Sequence, residues 1–477
     1  ALMNVLDRSK ADKVNKISGA IIGISVVFII GGMLFGSQIF RAKDYASLIT
    51  HTEGNFEEDL TITDPSQIPT IDRDMAERLG SRKLGEVLNL VSQFDVSTEY
   101  TQIAYKGDSV RVSPLEYVSF FRWLNNRADG IPHYVTVDMV TGDSELVNLE
   151  KNIHYSHSGF FGDDITRHIF FNYPTVMFEN PVFELDEEGN PYYIAPIVEK
   201  KFSFMGPKEV VGIFVVDASS GDITRYSVAD VPDWVDRVFP ANMVMTQINY
   251  NGQYQGGYLN SVISKKGVIQ NADGYNYIVL NDDLYLYTGL TSVAADESNI
   301  GFVLVNSRTK ESKRYNISTA TEWSAMESAQ GSVQEKGYIS TFPLLFNMEN
   351  KPVYQLSLKD DAGLIKMYAF VNATNYQKVG TGNSLAAAWN AYTGGVVSTT
   401  TDEEEEVVET ETISGAITAL ESVVIDGETT YYFTLEGDAE TIYIAKVSID
   451  KQLPFIKAGD SVTIEVDGAR VVSIIKQ

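Results

Sequence analysis

The sequence predicts an α+β protein with an N-terminal transmembrane helix, a β-rich ectodomain of hairpin-plus-helix modules and a small C-terminal β-barrel of OB-like type. Three observations predict this class. An uncharged apolar run lies near the N-terminus, apolar alternating segments ending in small polar turns recur through the middle, and short alternating segments fill residues 413–477. A chain of 477 residues, 44% of them hydrophobic, is long and apolar enough for two to four folded domains.

The apolar run "ISGAIIGISVVFIIGGMLFGSQIF", residues 17–40, contains no charged side chain. As a helix it would measure about 36 Å, more than the roughly 30 Å hydrocarbon core of a bilayer. Residues 1–16 before it are basic, whereas acidic side chains prevail after residue 43. The positive-inside bias therefore predicts a single-pass signal anchor in the cell membrane, with residues 1–16 in the cytoplasm and the bulk of the chain extracellular.

Two pairs of glycines four residues apart lie in this run, Gly19 with Gly23 and Gly32 with Gly36. Small residues at this spacing let two membrane helices approach closely, so the pairs predict self-association. Glycine is also frequent in membrane helices in general, and this alternative stays open. We expect the partners to be the lipid bilayer and either a second copy of the chain, giving a homo-oligomer, or another envelope protein.

Residues 41–130 form a predicted α+β region next to the membrane. The spacing of apolar residues over 71–94 predicts a helix, and alternation on both sides of Lys106–Asp108 predicts a hairpin. Ser113, Pro114 and Glu116 suit the first turn of a helix, since Ser can cap it, Pro tolerates its first position and Glu can reach back. We expect that helix to continue through residue 128.

Residues 131–393 contain four similar segments, which predict a β-rich modular region. Each has an alternating apolar run ending in Val-Asp or Val-Asn, a small polar turn and a second alternating run; the segments begin at Tyr134, Ile213, Phe302 and Met367. An Asp or Asn side chain can bond the turn backbone, and Gly142 and Gly221 supply positive φ. Helices are expected after the second and third copies, at 232–239 and 320–337. The copies are either a true repeat or the ordinary hairpins of a β-rich chain.

The composition changes at residue 394. Residues 394–412, "GGVVSTTTDEEEEVVETET", hold seven carboxylates and no basic side chain, so they predict a solvated acidic linker. Residues 413–477 show about five short strands with turn glycines, a pattern that resembles an OB-fold or a similar small barrel. The excess of acidic residues in this part disfavours oligonucleotide binding and favours a role in assembly.

Charge and composition also exclude several classes of protein. The net charge of −27 opposes nucleic-acid binding, which depends on Lys and Arg side chains that neutralise phosphates. The absence of cysteine excludes disulfides and thiolate chemistry. The sequence contains no nucleophile elbow, phosphate-binding loop, zinc-protease helix or dinucleotide-binding glycine motif. We therefore expect no cofactor and interpret the chain first as a non-enzymatic protein.

Three of the five histidines lie in "NIHYSHSGFFGDDITRHIFFNYP", residues 152–174. One alternative is a metal-dependent envelope hydrolase, and its candidate ligands are His154, His157, Asp164 and His168. The structural alternative uses the same segment as a turn and a helix. In that interpretation Asp163 caps the helix, Asp164 favours its positive end, and His168 packs near Phe170 and Phe171.

A further alternative rests on tyrosines. The stretch "YNGQYQGGY", Tyr250–Tyr258, places three tyrosines four residues apart. If these side chains are exposed, they predict a protein that binds glycans or the cell wall. Retention on cell wall, lost when these tyrosines are replaced by alanine, would support this hypothesis.

Two resemblances add to these predictions. The segment "PYYIAPIVEKK…VVGIFVVDASSGDITRYSVADVPDWVDRV", residues 191–238, resembles the strand–turn–strand of PepSY-type domains in its Val-Asp pair and Ser-Gly turn. This resemblance implies an extracytoplasmic interaction or inhibitory module and not a catalyst. The anchor, with "ERLGSRKLGE", "RHIFFNYPT", "GYNYIVLNDDLYLYTGLTSV" and "GFVLVNSRTKE", resembles single-pass membrane proteins of Gram-positive bacteria that bring no established activity. The function we predict is a membrane-anchored, self-associating extracytoplasmic scaffold or interaction protein of the bacterial envelope.

Overall fold

The computed structural model describes residues 8–62, 64–65, 68–293, 295–394, 411–425, 428–447, 449, 453, 456–467 and 470–476. Helices and mostly antiparallel sheets alternate along these residues, which confirms the mixed α+β class. The chain divides into two compact units, residues 1–397 and 398–477. Residues 395–410, most of the predicted acidic linker, lie outside the described residues. The finer domain limits stay predictions.

The first unit begins with a long apolar helix. Its N-terminal elements are α1 (Arg8–Phe35), α2 (Gln38–Ala46), β1 (Thr52–Glu53) and α3 (Phe56–Asp59). The 21 residues Asn15–Phe35 of α1 are long and apolar enough to cross a membrane, as an anchor or a signal sequence. The orientation of α1 stays a prediction. The helix ends before the predicted Phe40, because Ser37 takes an extended backbone with ψ of 155° and α2 starts after it.

Four modules follow, each with a helix ahead of an antiparallel sheet. Module 1 consists of α4 (Arg73–Gly85), α5 (Leu88–Val91), β2 (Phe94–Val96), β3 (Thr101–Tyr105), β4 (Asp108–Tyr117), α6 (Phe120–Asn126), β5 (Ile131–Asp138) and β6 (Ser144–Ile153). Module 2 consists of α7 (Ile165–Asn172), β7 (Val182–Leu185), β8 (Pro191–Lys200), β9 (Lys208–Asp217) and β10 (Ile223–Ser227).

The other two modules have the same plan. Module 3 consists of α8 (Ala241–Tyr254), β11 (Ile269–Asn271), β12 (Asn276–Leu280), β13 (Asp283–Ser292), β14 (Ala295–Asn306), β15 (Ser312–Tyr315) and β16 (Thr319–Ala320). Module 4 consists of α9 (Glu322–Ser332), β17 (Ile339–Ser340), β18 (Leu344–Met348), β19 (Lys351–Lys359), β20 (Ile365–Asn372) and β21 (Val379–Gly382), and α10 (Leu385–Thr393) follows it.

The strand order is the same in every module. The sheets run β2/β3–β4–β5–β6, β7–β8–β9–β10, β11/β12–β13–β14–β15 and β17/β18–β19–β20–β21. In modules 1, 3 and 4, two short strands share the first position. These strands therefore form antiparallel meanders paired in chain order; the sheet of module 3 also contains β16, which pairs with β14, and β1, which pairs with β15 in parallel. The four predicted hairpins each lie in one of these sheets, but the first module begins at Arg73, ahead of the predicted modular region 131–393, and the domain limits stay predictions.

The last two strands of each meander are joined by the same turn. One side-chain oxygen accepts two backbone N–H groups of the turn at 2.7–3.0 Å in all four copies. The accepting residues are Asp138, Asp217, Asn306 and Asn372. Gly142 and Gly221 have φ of 78° and 79°, and Lys310 takes the same left-handed position with φ of 66°. These contacts confirm the predicted turn chemistry.

The cores of the first unit lie between consecutive modules. Along β8, Tyr193, Ala195 and Ile197 pack in a core shared with module 1. Ile194 and Val198 point to the opposite face, into a core shared with α8 and module 3. The sheet of module 3 likewise contacts module 2 on one face and module 4 on the other. Such burial on both faces explains why β8 and β9 read as nearly continuous apolar runs.

The helix predicted to begin at Ser113 is wrong. Residues 113–116 belong to β4, in which Ser113 pairs with Val135 and Pro114 pairs with Tyr134 of β5. The sheet pairing and burial of this segment outweigh its local capping pattern, since strand formation depends mainly on neighbouring strands. A short helix, α6, starts only at Phe120.

The helix predicted over residues 232–239 is also wrong. These residues form turns and bends. The backbone N–H groups of Asp236 and Arg237 donate to the carboxylate of Glu184, at 2.9 Å each, and so make no helical bonds. The helix of this region, α8, begins at Ala241, directly after Pro240.

The remaining local predictions agree better with the structure. Tyr105 pairs with Asp108 across the expected hairpin. Helix α9 lies within the predicted segment 320–337. The helix predicted over 71–94 divides into α4 and α5, because α4 ends at Gly85 and its continuation is a separate short turn.

The second unit contains β22 (Glu411–Ile425), β23 (Glu428–Leu435), β24 (Asp438–Lys446), β25 (Ser461–Asp467) and β26 (Arg470–Lys476). β22 pairs with β23 and β25, and the other pairings are β23–β24, β25–β26 and β24–β26. The pairings form a ring, in which β24 and β26 join through a single residue pair, Ile444 with Arg470. Because the closure rests on that one pair, the assignment to an OB-like barrel stays a prediction.

Candidate membrane-docking site

The chain leaves α1 through a cluster of aromatic side chains, which we call the collar. The collar consists of Tyr45, Phe202, Tyr250, Tyr254 and Tyr258. The Tyr45 hydroxyl donates to the Gly36 carbonyl at 2.8 Å, and its ring centroid lies 4.9 Å from that of Tyr250. Burial, followed by the neighbouring Tyr250 and Tyr254, raises the pKa of Tyr45, so its hydroxyl remains a donor. Tyrosines with one apolar and one polar end are typical of membrane–water interfaces.

The tip of the β8–β9 hairpin, residues 201–206, packs on α1 itself. Ser203 Oγ donates to the Gly32 carbonyl at 2.8 Å. The ring of Phe204 stacks on that of Phe28, with centroids 5.1 Å apart and planes 2° from parallel. A Cβ on Gly32 would be only 2.1 Å from the Phe204 ring. The close contact between tip and helix therefore requires glycine at position 32.

The tip contacts α1 well before the end of the helix. Phe28 precedes the last residue of α1 by seven positions, about 10 Å along the axis. If α1 crosses a bilayer, Phe204 therefore lies in the hydrocarbon region, where every backbone N–H needs a partner. The N–H groups of Ser203, Met205 and Gly206 all bond within the tip, at 2.8–3.1 Å. Phe204 and Met205 are 44% and 48% exposed.

Helix α8 approaches the same end of α1. The side-chain amide of Asn251 donates to the carbonyls of Ala46 and Ile49 at 2.9 Å each. Three residues later, the Tyr254 hydroxyl donates to Gln38 Oε1 at 3.0 Å. The two contacts show that α8 runs from the end of α2 towards its start, so its C-terminus points towards α1.

The segment after α8 exposes apolar side chains beside two lysines. It forms a π-helical turn over Asn260–Ser264. Its apolar side chains, between 55% and 75% exposed, are Leu259, Val262 and Ile263. Lys265 and Lys266 follow directly and are also exposed. Apolar groups flanked by lysines suit the boundary between acyl chains and headgroups.

The two predicted glycine pairs have different surroundings. A Cβ on Gly19 or Gly23 would meet no atom within 4 Å, and self-association through this pair stays a prediction. Gly32 and Gly36 face the tip of their own chain, and a Cβ on Gly36 would lie 2.8 Å from Ser203. A second helix cannot occupy this face while the tip is bound. Sequence reasoning missed the contact because the two segments are 171 residues apart.

The imidazole ring of His157 contacts two other groups of the protein. Its Nε2 lies 2.9 Å from the Pro181 carbonyl and 3.5 Å from Glu99 Oε2. His157 and Asp164 line the same cavity, of about 330 Å³. The other two candidate metal ligands, His154 and His168, are not among the described residues that line this cavity.

The other two histidines have partners elsewhere. His168 Nε2 lies 2.8 Å from the Gly221 carbonyl, and its ring packs on Tyr155 at 4.3 Å between centroids, not on the predicted phenylalanines. His154 donates its backbone N–H to the Ala218 carbonyl at 2.9 Å. Both histidines thus attach the segment to the turn between β9 and β10.

The capping residue differs from the prediction. Asp164 caps α7 by accepting a first-turn N–H at 2.7 Å. Asp163, the predicted cap, instead accepts from Trp123 Nε1 at 3.1 Å and lies 3.6 Å from Arg127. Within the part of the chain that the structure describes, no three His, Asp or Glu side chains gather as metal ligands would. The geometry of this segment gives no support to the hydrolase hypothesis.

The tyrosines of the glycan hypothesis belong to the collar. Tyr254 is 7% exposed. Tyr250 and Tyr258 are partly buried against it, with ring centroids 5.9 Å and 6.4 Å away. The three rings pack on one another and on α2, so they do not form an open sugar-binding platform.

No family model and no curated protein matches this chain. Among solved structures there is a weak resemblance to the C-terminal domain of Bacillus megaterium YpeB, at 8% identity and a TM-score of 0.12, covering 53% of this chain and 99% of that one. A B. megaterium levansucrase mutant gives 12% identity, coverage of 90% and 96%, and a TM-score of 0.19. A Synechocystis apocarotenoid oxygenase mutant gives 9% identity and a TM-score of 0.15, with 80% of this chain and 62% of that chain covered. TM-scores this low do not show a common fold.

Proposed function

We propose that this protein is a membrane-anchored extracytoplasmic interaction protein, in which α1 holds the stack of modules against the outer surface of the bilayer. The contact of the β8–β9 tip with α1 carries the proposal. It gives the modules a second attachment to the helix, besides the direct connection through α2. Two attachments fix the orientation of the stack, which suits a scaffold that presents surfaces to partners.

Charge near the exit of α1 supports docking on lipid headgroups. The chain has a net charge of −27. Exposed lysines nevertheless occur on each segment that approaches this end, at Lys43, Lys200, Lys265 and Lys266. Such residues are attracted to anionic headgroups by about 1 kcal/mol each near the surface. The acidic remainder of the chain would be repelled, so the charges favour one orientation.

An exposed apolar patch on module 1 supports the interaction part of the proposal. It surrounds Phe120 and has members between 48% and 71% exposed: Val118, Phe121, Leu124 and Phe161. Contiguous large apolar side chains on a soluble surface mark sites for protein partners. We assign this patch to a second copy of the chain or another envelope protein, and the open Gly19–Gly23 pair to self-association within the membrane.

The natural absence of cysteine makes the proposal directly testable. Full-length Met205→Cys, Ile263→Cys and Thr374→Cys variants would each carry an environment-sensitive fluorophore and be reconstituted into vesicles. We expect acyl-chain quenchers to quench the labels at 205 and 263 but not at 374, which is exposed in the β20–β21 turn of module 4. A label at 205 as accessible to water as that at 374 would refute the docking. An impermeant maleimide on intact cells would test the orientation through Thr374→Cys.

A further inference from the structure

A cavity of about 440 Å³ opens where modules 1, 2 and 3 meet. Three arginines line it, Arg73 and Arg111 from module 1 and Arg237 from the segment before α8. Glu99 is the one carboxylate among its described lining residues. The cavity therefore has an excess of positive charge, although the whole chain is strongly acidic. We call it the arginine pocket.

Arg111 is the most informative of the three arginines. Its guanidinium donates only to neutral acceptors, two backbone carbonyls at 3.3 Å and Gln102 Oε1 at 3.4 Å. No carboxylate in the described ranges forms an ion pair with it, and the nearby Asp72 is paired with Lys359. Burial lowers the pKa of Arg111 to about 10, with the charge of Asp72 opposing and that of Arg237 adding to the effect, so Arg111 is still charged at neutral pH. Arg111 is partly buried and has no described salt bridge, an arrangement that is costly for a charge in a folded protein.

The repeated modules show that the fold does not require this arginine. Arg111 pairs with Gln102 three positions from the β3–β4 turn. The corresponding pairs in the other modules are Val182 with Ile194, Tyr277 with Leu286, and Leu345 with Tyr354. Those pairs are apolar or aromatic, and all but the partly exposed valine are buried. Since three modules fill this position with packing side chains, the charge in module 1 indicates a role other than packing.

The other two arginines are also without a described ion pair. Arg237 lies over the ring of Tyr277, 4.3 Å from its centroid. Arg73 donates to the Thr98 carbonyl from Nε and Nη2, at 3.0 Å and 2.6 Å. These contacts hold the guanidinium groups in place without a described salt bridge, although Asp236 and Asp74 act on Arg237 and Arg73 through their charges. Because the three groups repel one another, an anion between them would relieve the repulsion.

We propose that the arginine pocket binds the oxyanion group, phosphate or carboxylate, of a small polar ligand. The planar fork of a guanidinium matches two oxygens of either group. The exposed side-chain amide of Asn180, which also lines the pocket, offers hydrogen bonds to hydroxyl groups on the rest of the ligand. The pocket has the size of small-molecule sites, which are about 300–1,000 Å³. This inference does not depend on membrane docking.

The test is calorimetric titration of the full-length protein in detergent with inorganic phosphate and, separately, with citrate at constant ionic strength. We expect saturable binding of at least one anion, and the tighter one identifies the oxyanion class. Arg237→Gln and Arg111→Gln should each weaken it at least tenfold. Arg225→Gln, an exposed arginine on β10, is the matched control and should bind like the wild type.

Folding of the variants is checked by their thermal unfolding without ligand. If Arg111→Gln fails to fold, Arg237→Gln and Arg73→Gln decide the outcome, since Arg73 is exposed. In the wild type, the bound anion should also raise the unfolding midpoint, because it joins residues of three modules. The proposal is overturned if neither anion binds saturably, or if Arg237→Gln and Arg73→Gln bind as tightly as Arg225→Gln.

Discussion

Replacing Glu184 by glutamine should change how the stability of the first unit depends on pH. Glu184 is fully buried, and its two oxygens accept the backbone N–H groups of Asp236 and Arg237. Asp236 is also buried and accepts the Ala104 N–H at 2.6 Å. Burial, followed by the charge of Asp236, raises the pKa of Glu184 to about 8. Burial likewise raises the pKa of Asp236 to about 7.

The sign follows from proton binding in the two states. Between about pH 4.3, where an unfolded glutamate ionises, and pH 8, folded Glu184 keeps its proton and unfolded Glu184 does not. Stability from this group is therefore complete at acid pH and falls as the pH rises, by about 1.4 kcal/mol per unit. Glutamine has no such slope, but its amide leaves one backbone N–H unpaired, which costs about 1–3 kcal/mol at every pH.

Denaturant unfolding of the full-length protein, followed by tryptophan fluorescence at pH 5, 6 and 7, measures the difference. We expect Glu184→Gln to be less stable than the wild type at pH 5 and to gain about 3 kcal/mol relative to it by pH 7. Glu187→Gln, an exposed glutamate in the neighbouring turn, should follow the wild type throughout. Parallel curves for Glu184→Gln and the wild type would mean that Glu184 is ionised in the folded protein, against this reasoning.

Three other changes test separate contacts. Gly32→Val should expel Phe204 from α1 and abolish acyl-chain quenching at the tip, whereas Gly23→Val, with no atom within 4 Å, should leave it intact. Asp217→Ala removes the acceptor of two turn N–H groups and should lower the stability of the folded protein by about 1–2 kcal/mol, seen as a lower thermal midpoint. Asp217→Asn keeps a side-chain oxygen that can accept these N–H groups, so its thermal midpoint should match that of the wild type. Burial lowers the pKa of His51 to about 4, so stability falls as the pH drops from about 6.5. His51→Gln should reduce that fall, and an unchanged pH profile would contradict it.

Features encoded by neighbouring residues could be predicted from the sequence. The prediction of the apolar helix depends only on the length of the run and its lack of charged side chains. The four side-chain-bonded turns needed only an Asp or Asn followed by small polar residues, because donor and acceptor lie two or three positions apart. Such contacts are nearly independent of the rest of the fold.

Features that depend on distant segments could not be predicted. Ser113 has a good local capping pattern, but pairing with Val135 places it in a strand. Gly32 has the spacing of a helix-association residue, but it contacts the tip through Ser203, which lies 171 positions later in the chain. The arginine pocket collects residues from three modules, and no pattern along the chain connects Arg111 with Arg237. One signal was visible in principle, since Arg111 interrupts an otherwise apolar register position of aligned modules.

The connection between the second and third strands of each sheet suggests where function lies in this fold. In modules 3 and 4 it has two residues (293–294) and five residues (360–364). In module 2 the connection has seven residues (201–207) and includes the tip that contacts α1. In module 1 the connection has 13 residues (118–130) and contains α6 and most of the apolar patch. Two residues suffice to join adjacent antiparallel strands, so we propose that the two longest connections, in modules 1 and 2, serve another purpose. They are the segments that we assign to the membrane and to a protein partner. The sheets of this protein are a common framework, and we propose that its interactions depend on the connections and on the junctions between modules.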